Sequence, residues 1–98
     1  MMEAIKISVV ICTYNRASYI QDAMDSLYHQ NIDRQLYEII VVNNNSSDNT
    51  IQVCEDWIAA HPDAHYSFYN ELKQGASFAR NTGAAHSRGS LLCFMDDD

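Results

Sequence analysis

Residues 37–50 read YEIIVVNNNSSDNT, and the fold is decided there. The first six are almost continuously apolar and rich in Ile and Val. Such a run is too short for a typical helix and suits a strand covered on both faces. The next eight are Asn, Ser, Asp and Thr, whose short polar side chains make turns and cap helices. From about residue 48 to 60 the apolar positions Ile51, Cys54, Trp57 and Ile58 recur at helical spacing, until Pro62 stops the helix. A buried strand, a polar loop and an amphipathic helix make the repeating unit of a parallel α/β sheet.

The same unit appears on either side. Residues 5–12, IKISVVIC, form a β-branched run, followed by a polar turn of Thr13, Tyr14, Asn15 and Arg16. A helix is predicted from about 17 to 30, with Ile20, Ala23, Met24, Leu27 and Tyr28 on one stripe. Residues 64–70 read as a weaker third strand. Residues 75–87 read as a third helix full of small residues, namely Ala76, Ala79, Gly83, Ala84 and Ala85, which let a helix approach a sheet closely. Gly89 is placed as a helix-ending residue, and SLLCFM at 90–95 is the fourth strand. Right-handed crossovers then predict a Rossmann-like parallel sheet in the order 3-2-1-4 with helices on both faces. In such sheets the ligand sits beyond the carboxyl ends of the strands. The loops TYNR, NNNSSDNT and DDD, after strands 1, 2 and 4, should share that edge.

Composition narrows the function. The chain has 98 residues, 47% hydrophobic, with 13 Asp and Glu against 6 Lys and Arg and a formal charge of -7. That suits one small domain, or a piece of a larger one, with a real core. It excludes nucleic acid as a partner, since that needs a basic footprint. Cys12, Cys54 and Cys93 are odd in number, lack a CxxC pair and sit in or beside apolar runs. They read as reduced core thiols of a cytoplasmic protein. No stretch approaches the ~18 apolar residues of a membrane span, and residues 1–6 lack a signal-peptide layout. The expectation is a soluble chain, with membrane association left to the full-length protein.

Asp96, Asp97 and Asp98 are the sharpest feature. Three acids after a buried strand repel one another, and residues two apart in an extended segment point the same way. Asp96 and Asp98 can therefore converge on a hard divalent cation whose open positions take substrate phosphates. The bland alternative is a solvated acidic turn. Tyr14 can stack on a nucleobase or be an ordinary boundary aromatic. Asn43, Asn44 and Asn45 can read a base edge, although turn and cap chemistry accounts for at least one of them. Arg80, near the start of the third helix, can reach a diphosphate or lie on a solvated face. His29, His61, His65 and His86 show no metal spacing and read as surface or boundary residues.

Taken together, ISVVICTYNR, YEIIVVNNNSSDNT, QGASFARNTGAAHSRG and LLCFMDDD resemble glycosyltransferase family 2, enzymes of the GT-A fold, over nearly the whole chain. The resemblance implies that Thr13 and Tyr14 border the nucleobase, with Tyr14 against the ring. Asn44 matches a base-contacting position that usually holds an acid. Arg80 matches a position near the nucleotide. Asp96 to Asp98 match the DxD motif: Asp96 would contact the ribose, Asp97 would lie with the nucleotide, and Asp98, helped by Asp96, would bind Mn2+ or Mg2+ bridging the diphosphate. The implied activity is metal-dependent, usually inverting transfer from a nucleotide-diphosphate sugar, UDP-sugar first, to a hydroxyl of a saccharide or lipid-linked acceptor. Cell-envelope polysaccharide synthesis is the implied setting.

Two departures stand out: Cys12 replaces a frequent Pro, and Asn43-Asn44 stands where the family often has Asp-Asp or Asp-Asn. GT-A domains also run to well over twice this length. Residues 1–98 are therefore expected to be the donor half, ending at the DxD motif, without the general base. By itself that half should be catalytically silent and prone to self-association. The competing reading is a nucleotide-binding or interaction module of the same fold without transfer chemistry.

Overall fold

The computed structural model describes residues 5–30, 33 and 35–95. Its elements alternate as β1 (Ile7–Thr13), α1 (Ala17–Tyr28), β2 (Tyr37–Asn43), α2 (Thr50–Ala60), β3 (Tyr66–Asn70), α3 (Ala76–Ala85) and β4 (Leu91–Met95). The sheet order is β3-β2-β1-β4, with every pairing parallel. The sequence expectation of a Rossmann-like 3-2-1-4 sheet is met.

Alternation along each strand sorts the core into two layers. Ile11, Ile39 and Val41 face α1 and α2, where Ile20, Met24, Cys54 and Trp57 fill the space. Val10, Ile40 and Val42 face α3 and meet Ala79. β2 is buried along its whole length, as its unbroken apolar run requires. Three ring substituents tie α1 and α2 down: Tyr37 donates to Leu27 O, Tyr66 to Met24 O, and Trp57 Nε1 to Asp25 Oδ1 at 2.6 Å.

The small residues of α3 serve the purpose expected of them. A Cβ at Gly83 would fall 2.3 Å from Val10 Cγ1, so only glycine allows the helix to lie this close to β1. Gly89 corrects the sequence reading. The cap of α3 is His86, and Gly89 instead lies against the backbone of Ile7 and Ser8, where a Cβ would come within 2.8 Å.

That contact belongs to a polar cluster at the amino ends of the strands. Ser8 donates to Glu38 Oε2 at 2.6 Å, Arg88 N–H donates to the same oxygen at 2.7 Å, and Arg88 Nε reaches Oε1 at 3.1 Å. Gly89 N–H in turn donates to Ser8 Oγ. Burial pushes the Glu38 carboxyl up, but the Ser8 hydroxyl and the Arg88 amide and guanidinium outweigh it and hold it below its ordinary value.

The cysteines are free. Cys54 is a core thiol, pushed by burial up to about 12, and Cys12 is half-buried. Cys93 departs from the expectation: it is exposed, because β4 lies at the sheet edge, with Leu91 and Phe94 also exposed. Among the described residues no helix is long and apolar enough to cross a membrane.

Two outcomes test this packing. Gly83→Ala should lower the unfolding free energy by about 1–3 kcal/mol through overpacking, despite alanine's better helix propensity. Combined with Val10→Ala, the loss in urea denaturation should be smaller than the sum of the two single losses. The second concerns pH. With its folded pKa depressed, Glu38 contributes its full stabilisation above the unfolded value and loses it as pH falls through the folded one. Glu38→Gln should therefore be less stable at neutral pH and flatter than wild type on acidification, as followed by urea midpoints.

Candidate functional site

Three strands stop level with one another. Thr13 pairs with Asn43, and Asn43 with Asn70. Beyond them Asn44 N–H donates to Thr13 O and Glu71 N–H to Asn43 O, each at 2.8 Å. The loops after β1, β2 and β3 thus leave the sheet at the same height. Between them lies an open cleft of about 360 Å³. It is lined by Cys12, Thr13, Tyr14 and Arg16 from the first loop, Asn44 from the second, and Gln74, Gly75 and Ala76 from the third. The shared edge predicted for the loops after strands 1 and 2 is present. The loop after β3 joins them, which the sequence reading did not foresee. β4 runs towards the same edge, its last residue Met95 paired with Ile11. Asp96, Asp97 and Asp98 lie outside the described residues.

Much of the polar sequence around the cleft is spent on holding the loops. Asn15 and Asn45 adopt positive φ of 49° and 61°, a conformation asparagine tolerates better than most side chains. Asn15 Oδ1 accepts from Ser47 N–H at 2.8 Å and Asp48 N–H at 3.3 Å, and Asn15 N–H donates to Ser46 Oγ. The first two loops are thereby joined. The Asp48 carboxylate receives the hydroxyl and the N–H of Thr50 at the start of α2, and the Thr50 hydroxyl above all holds its pKa down.

Asn44 fastens the third loop. It is only 5% exposed. Its amide nitrogen donates to Glu71 O at 3.2 Å and Lys73 O at 2.8 Å, and its oxygen accepts from Gly75 N–H at 2.9 Å. Gln74 completes the attachment, donating to Asn44 O at 3.3 Å and receiving from Asn45 Nδ2 at 3.4 Å. At the loop's start Glu71 accepts from the Thr82 hydroxyl on α3 and from Lys73 N–H, which lower its pKa in that order.

The other sequence candidates fall into distinct places. Thr13 is 1% exposed, and its hydroxyl lacks a hydrogen-bond partner among the described residues; Asn43 Oδ1 is in the same condition. Buried polar atoms are rarely left this way, and both lie at the paired strand ends from which the loops leave. Tyr14 is 48% exposed, its ring available on the cleft wall. Arg16, also exposed, is the charged residue among those lining the cleft. Arg80 is exposed on α3 and does not line it. The histidines do not gather: His61 stacks on Trp57 and His86 on Tyr69, both at 3.8 Å between centroids. Among the described residues no cluster of His, Cys, Asp and Glu could hold a metal.

The family model for glycosyl transferase family 2 matches residues 8–98. The chain belongs to this family. It is 35% identical to glycosyltransferase AglE of Haloferax volcanii over 92 residues, covering 94% of this chain and 30% of that protein. Among solved structures it resembles a mannosyltransferase from Pyrobaculum calidifontis in complex with GDP-Man and Mn2+. There the TM-score is 0.92 and the identity 30%, covering 98% of this chain and 28% of the other. Staphylococcus aureus TarS in complex with UDP superposes with a TM-score of 0.86 at 27% identity, covering 96% and 28%. The chain thus spans less than a third of the length of these proteins.

The unpartnered Thr13 hydroxyl gives a prediction with an unusual sign. Replacing a satisfied buried threonine with valine normally destabilises. Here Thr13→Val removes a desolvated oxygen that has no partner, so it should raise the unfolding free energy of the unliganded protein by about 1 kcal/mol. Thermal or urea denaturation without ligand measures this; a clear loss of stability would show that the hydroxyl is already bonded.

Proposed function

We propose that this chain is the donor half of a family 2 glycosyltransferase, and that the cleft at the carboxyl edge holds a nucleotide-diphosphate sugar. The observation that carries this reading is the cleft at the carboxyl edge of the sheet, where the half-exposed Tyr14 ring stands with Arg16 and the Asn44 amide. Tyr14 offers a stacking face and Arg16 a positive charge, and a nucleotide uses both. The structural neighbours in complex with GDP-Man and UDP support the ligand class, with a UDP-sugar as first choice.

In this reading Tyr14 stacks on the base, Thr13 bonds to its edge or to the ribose, and Asn44 faces it from the second loop. Arg80 serves the nucleotide from α3, outside the residues that line the cleft. Asp96 contacts the ribose, Asp97 lies with the nucleotide, and Asp98 with Asp96 holds Mn2+ or Mg2+. The donor set suits such an ion, since carboxylate oxygens are the ligands hard cations prefer, and β4 pairs with β1 up to Ile11, next to the cleft. The neighbour that contains Mn2+ supports a divalent ion. When bound, the cation would neutralise charge on the departing diphosphate. The residues of this chain bind and orient the donor; the intact protein would transfer its sugar, with inversion, to the hydroxyl of a saccharide or lipid-linked acceptor.

The test is nucleotide affinity of the intact protein with and without Mn2+. Wild type should bind UDP or GDP much more tightly with the metal. Asp98→Ala should lose that gain and nearly all transfer activity, while keeping the metal-free affinity. Equal strengthening by the metal in both proteins would remove Asp98 from the site.

A further inference from the structure

β4 is an edge strand whose side chains do not say where it belongs. Leu91 to Met95 are all apolar. Leu92 packs in the Val10 layer and Met95 in the Ile11 layer, while Leu91 and Phe94 are half exposed and Cys93 is exposed. Shifting the strand by one residue would exchange one set of apolar side chains for another on each face. Hydropathy therefore leaves its register on β1 weakly specified.

The register is specified before the strand begins. Arg88 N–H donates to Glu38 Oε2 at 2.7 Å and Gly89 N–H to Ser8 Oγ at 2.8 Å, while the Ser8 hydroxyl donates to the same Glu38 oxygen at 2.6 Å. Two consecutive backbone donors are thereby fixed to side chains of β2 and β1, and Leu91 N–H follows onto Lys6 O at 3.0 Å. Sterics agree with the bonds. A Cβ at position 89 would lie 2.8 Å from Ile7 C and Ser8 N. Its neighbours Arg88 and Ser90 both carry a Cβ, so a slip in either direction drives one of them into that backbone. The same slip takes the Arg88 amide away from a buried carboxylate, and a buried charge that loses a partner is costly.

The consequence lies at the other end of the strand. Met95 pairs with Ile11, one residue before Cys12 of the cleft, and Asp96 to Asp98 follow Met95 in sequence. From Leu91 to Met95 a strand rises about 13 Å. One residue of slip displaces its exit by about 3.3 Å and turns every continuing residue to the opposite face. A hard cation holds its oxygens at about 2.0–2.6 Å, so a shift of that size takes ligands out of reach.

Resting on the reading of Asp96 and Asp98 as the cation site, we infer that Glu38, Ser8, Arg88 and Gly89 form a positioning clasp for it, setting from the amino edge of the sheet where β4 delivers the acidic triplet beside the cleft. Glu38 is a positioning residue that acts through the register of β4. The loops that carry Tyr14, Arg16 and Asn44 are held by other bonds. The clasp thus governs the cation's share of nucleotide binding and leaves the cleft itself unchanged.

Equilibrium binding of UDP and GDP to the intact protein, with and without Mn2+, tests this on the tighter-binding nucleotide. Glu38→Gln should keep the metal-free affinity to within about two-fold, as expected of distant sites. It should lose about five-fold or more of the gain that Mn2+ confers on wild type, in the manner of outer partners of a metal site. Amide exchange over residues 91–95 should quicken about ten-fold. Ser8→Ala, which removes one bond to the carboxylate and the acceptor for Gly89 N–H, should act in the same direction and serves in place of Glu38→Gln if that variant does not fold. Gly83→Ala is the control for general destabilisation, since it strains α3 against Val10 and leaves the clasp intact; it should retain the full Mn2+ gain. If the clasp variants keep that gain, or Gly83→Ala loses as much of it, the inference fails while the cation site, tested by Asp98→Ala, stands. If wild type gains nothing from Mn2+, the cation reading fails and takes the inference with it.

Discussion

The hydrogen bond from Asn44 N–H to Thr13 O continues the β1–β2 ladder beyond its last paired residues, and the candidate site depends on it. It fixes the height at which two loops leave the sheet and brings Thr13 and Asn44 to the same cleft. Register is what this bond expresses, because a slip of one residue sends every side chain of a strand to the opposite face. The apolar content of β2 cannot specify that register, since both of its faces are buried and either would accept Ile and Val. The polar residues at the strand ends do so. In the observed pairing Ser8 stands opposite Glu38 and Thr13 opposite Asn43. A slip would carry the Glu38 carboxylate away from Ser8 and Arg88 into the layer filled by Met24 and Trp57, without partners, at a cost far above one apolar mismatch.

The two ends of the sheet are built to opposite standards. At the amino end, the described bonds to Glu38 satisfy both carboxylate oxygens, and Ser8 both donates and accepts. A buried polar network satisfied to this degree rigidifies what it holds, here the turn that leads into β4. At the carboxyl end Thr13 Oγ1 and Asn43 Oδ1 are desolvated without partners among the described residues. Hydrogen-bonding capacity has been withheld where the cleft opens. The pattern suits a scaffold fixed from one edge and left chemically available at the other, as in parallel α/β sheets generally.

The fold was legible because its signals are local. A short apolar run, a cluster of Asn and Ser, and helical spacing of Ile51, Cys54 and Trp57 each lie within one window of sequence, and strand order followed from crossover handedness. The failures have one physical origin: they concern contacts across the fold. Gly89 looks like a helix terminator in sequence, and only the proximity of Ser8, 81 residues away, reveals a packing glycine. Cys93 looks like core because its neighbours are apolar, but hydropathy cannot say whether a strand's faces are covered. In the site, Tyr14 and the run from Asn43 to Asn45 stood out from their place after strands, and the family resemblance singled out Thr13 and Asn44; the structure puts Thr13, Tyr14 and Asn44 around one cleft, whereas Arg80 does not line it. The stretch from Glu71 to Gly75 was missed. Its residues have no periodicity, and their importance arises from hydrogen bonds to Asn44, about 30 positions earlier. A polar run just before a helix of small residues was the available hint.

Asn44 shows how a departure from a family pattern can be local in sequence and still compensated in space. Where the family usually carries an acid, this chain carries an amide. In isolation that substitution loses a charge and gains an unwanted donor. The carbonyls of Glu71 and Lys73 absorb that donor. They also make a carboxylate the poorer choice here, because an acid would turn an oxygen towards each of them. Residue 44 and the course of the β3–α3 loop are thus one physical unit: two loop carbonyls take both hydrogens of the Asn44 amide, and Gly75 N–H binds its oxygen. The chain gives up a charge at this position and gains three bonds that hold the loop, which suits a protein that is already strongly acidic.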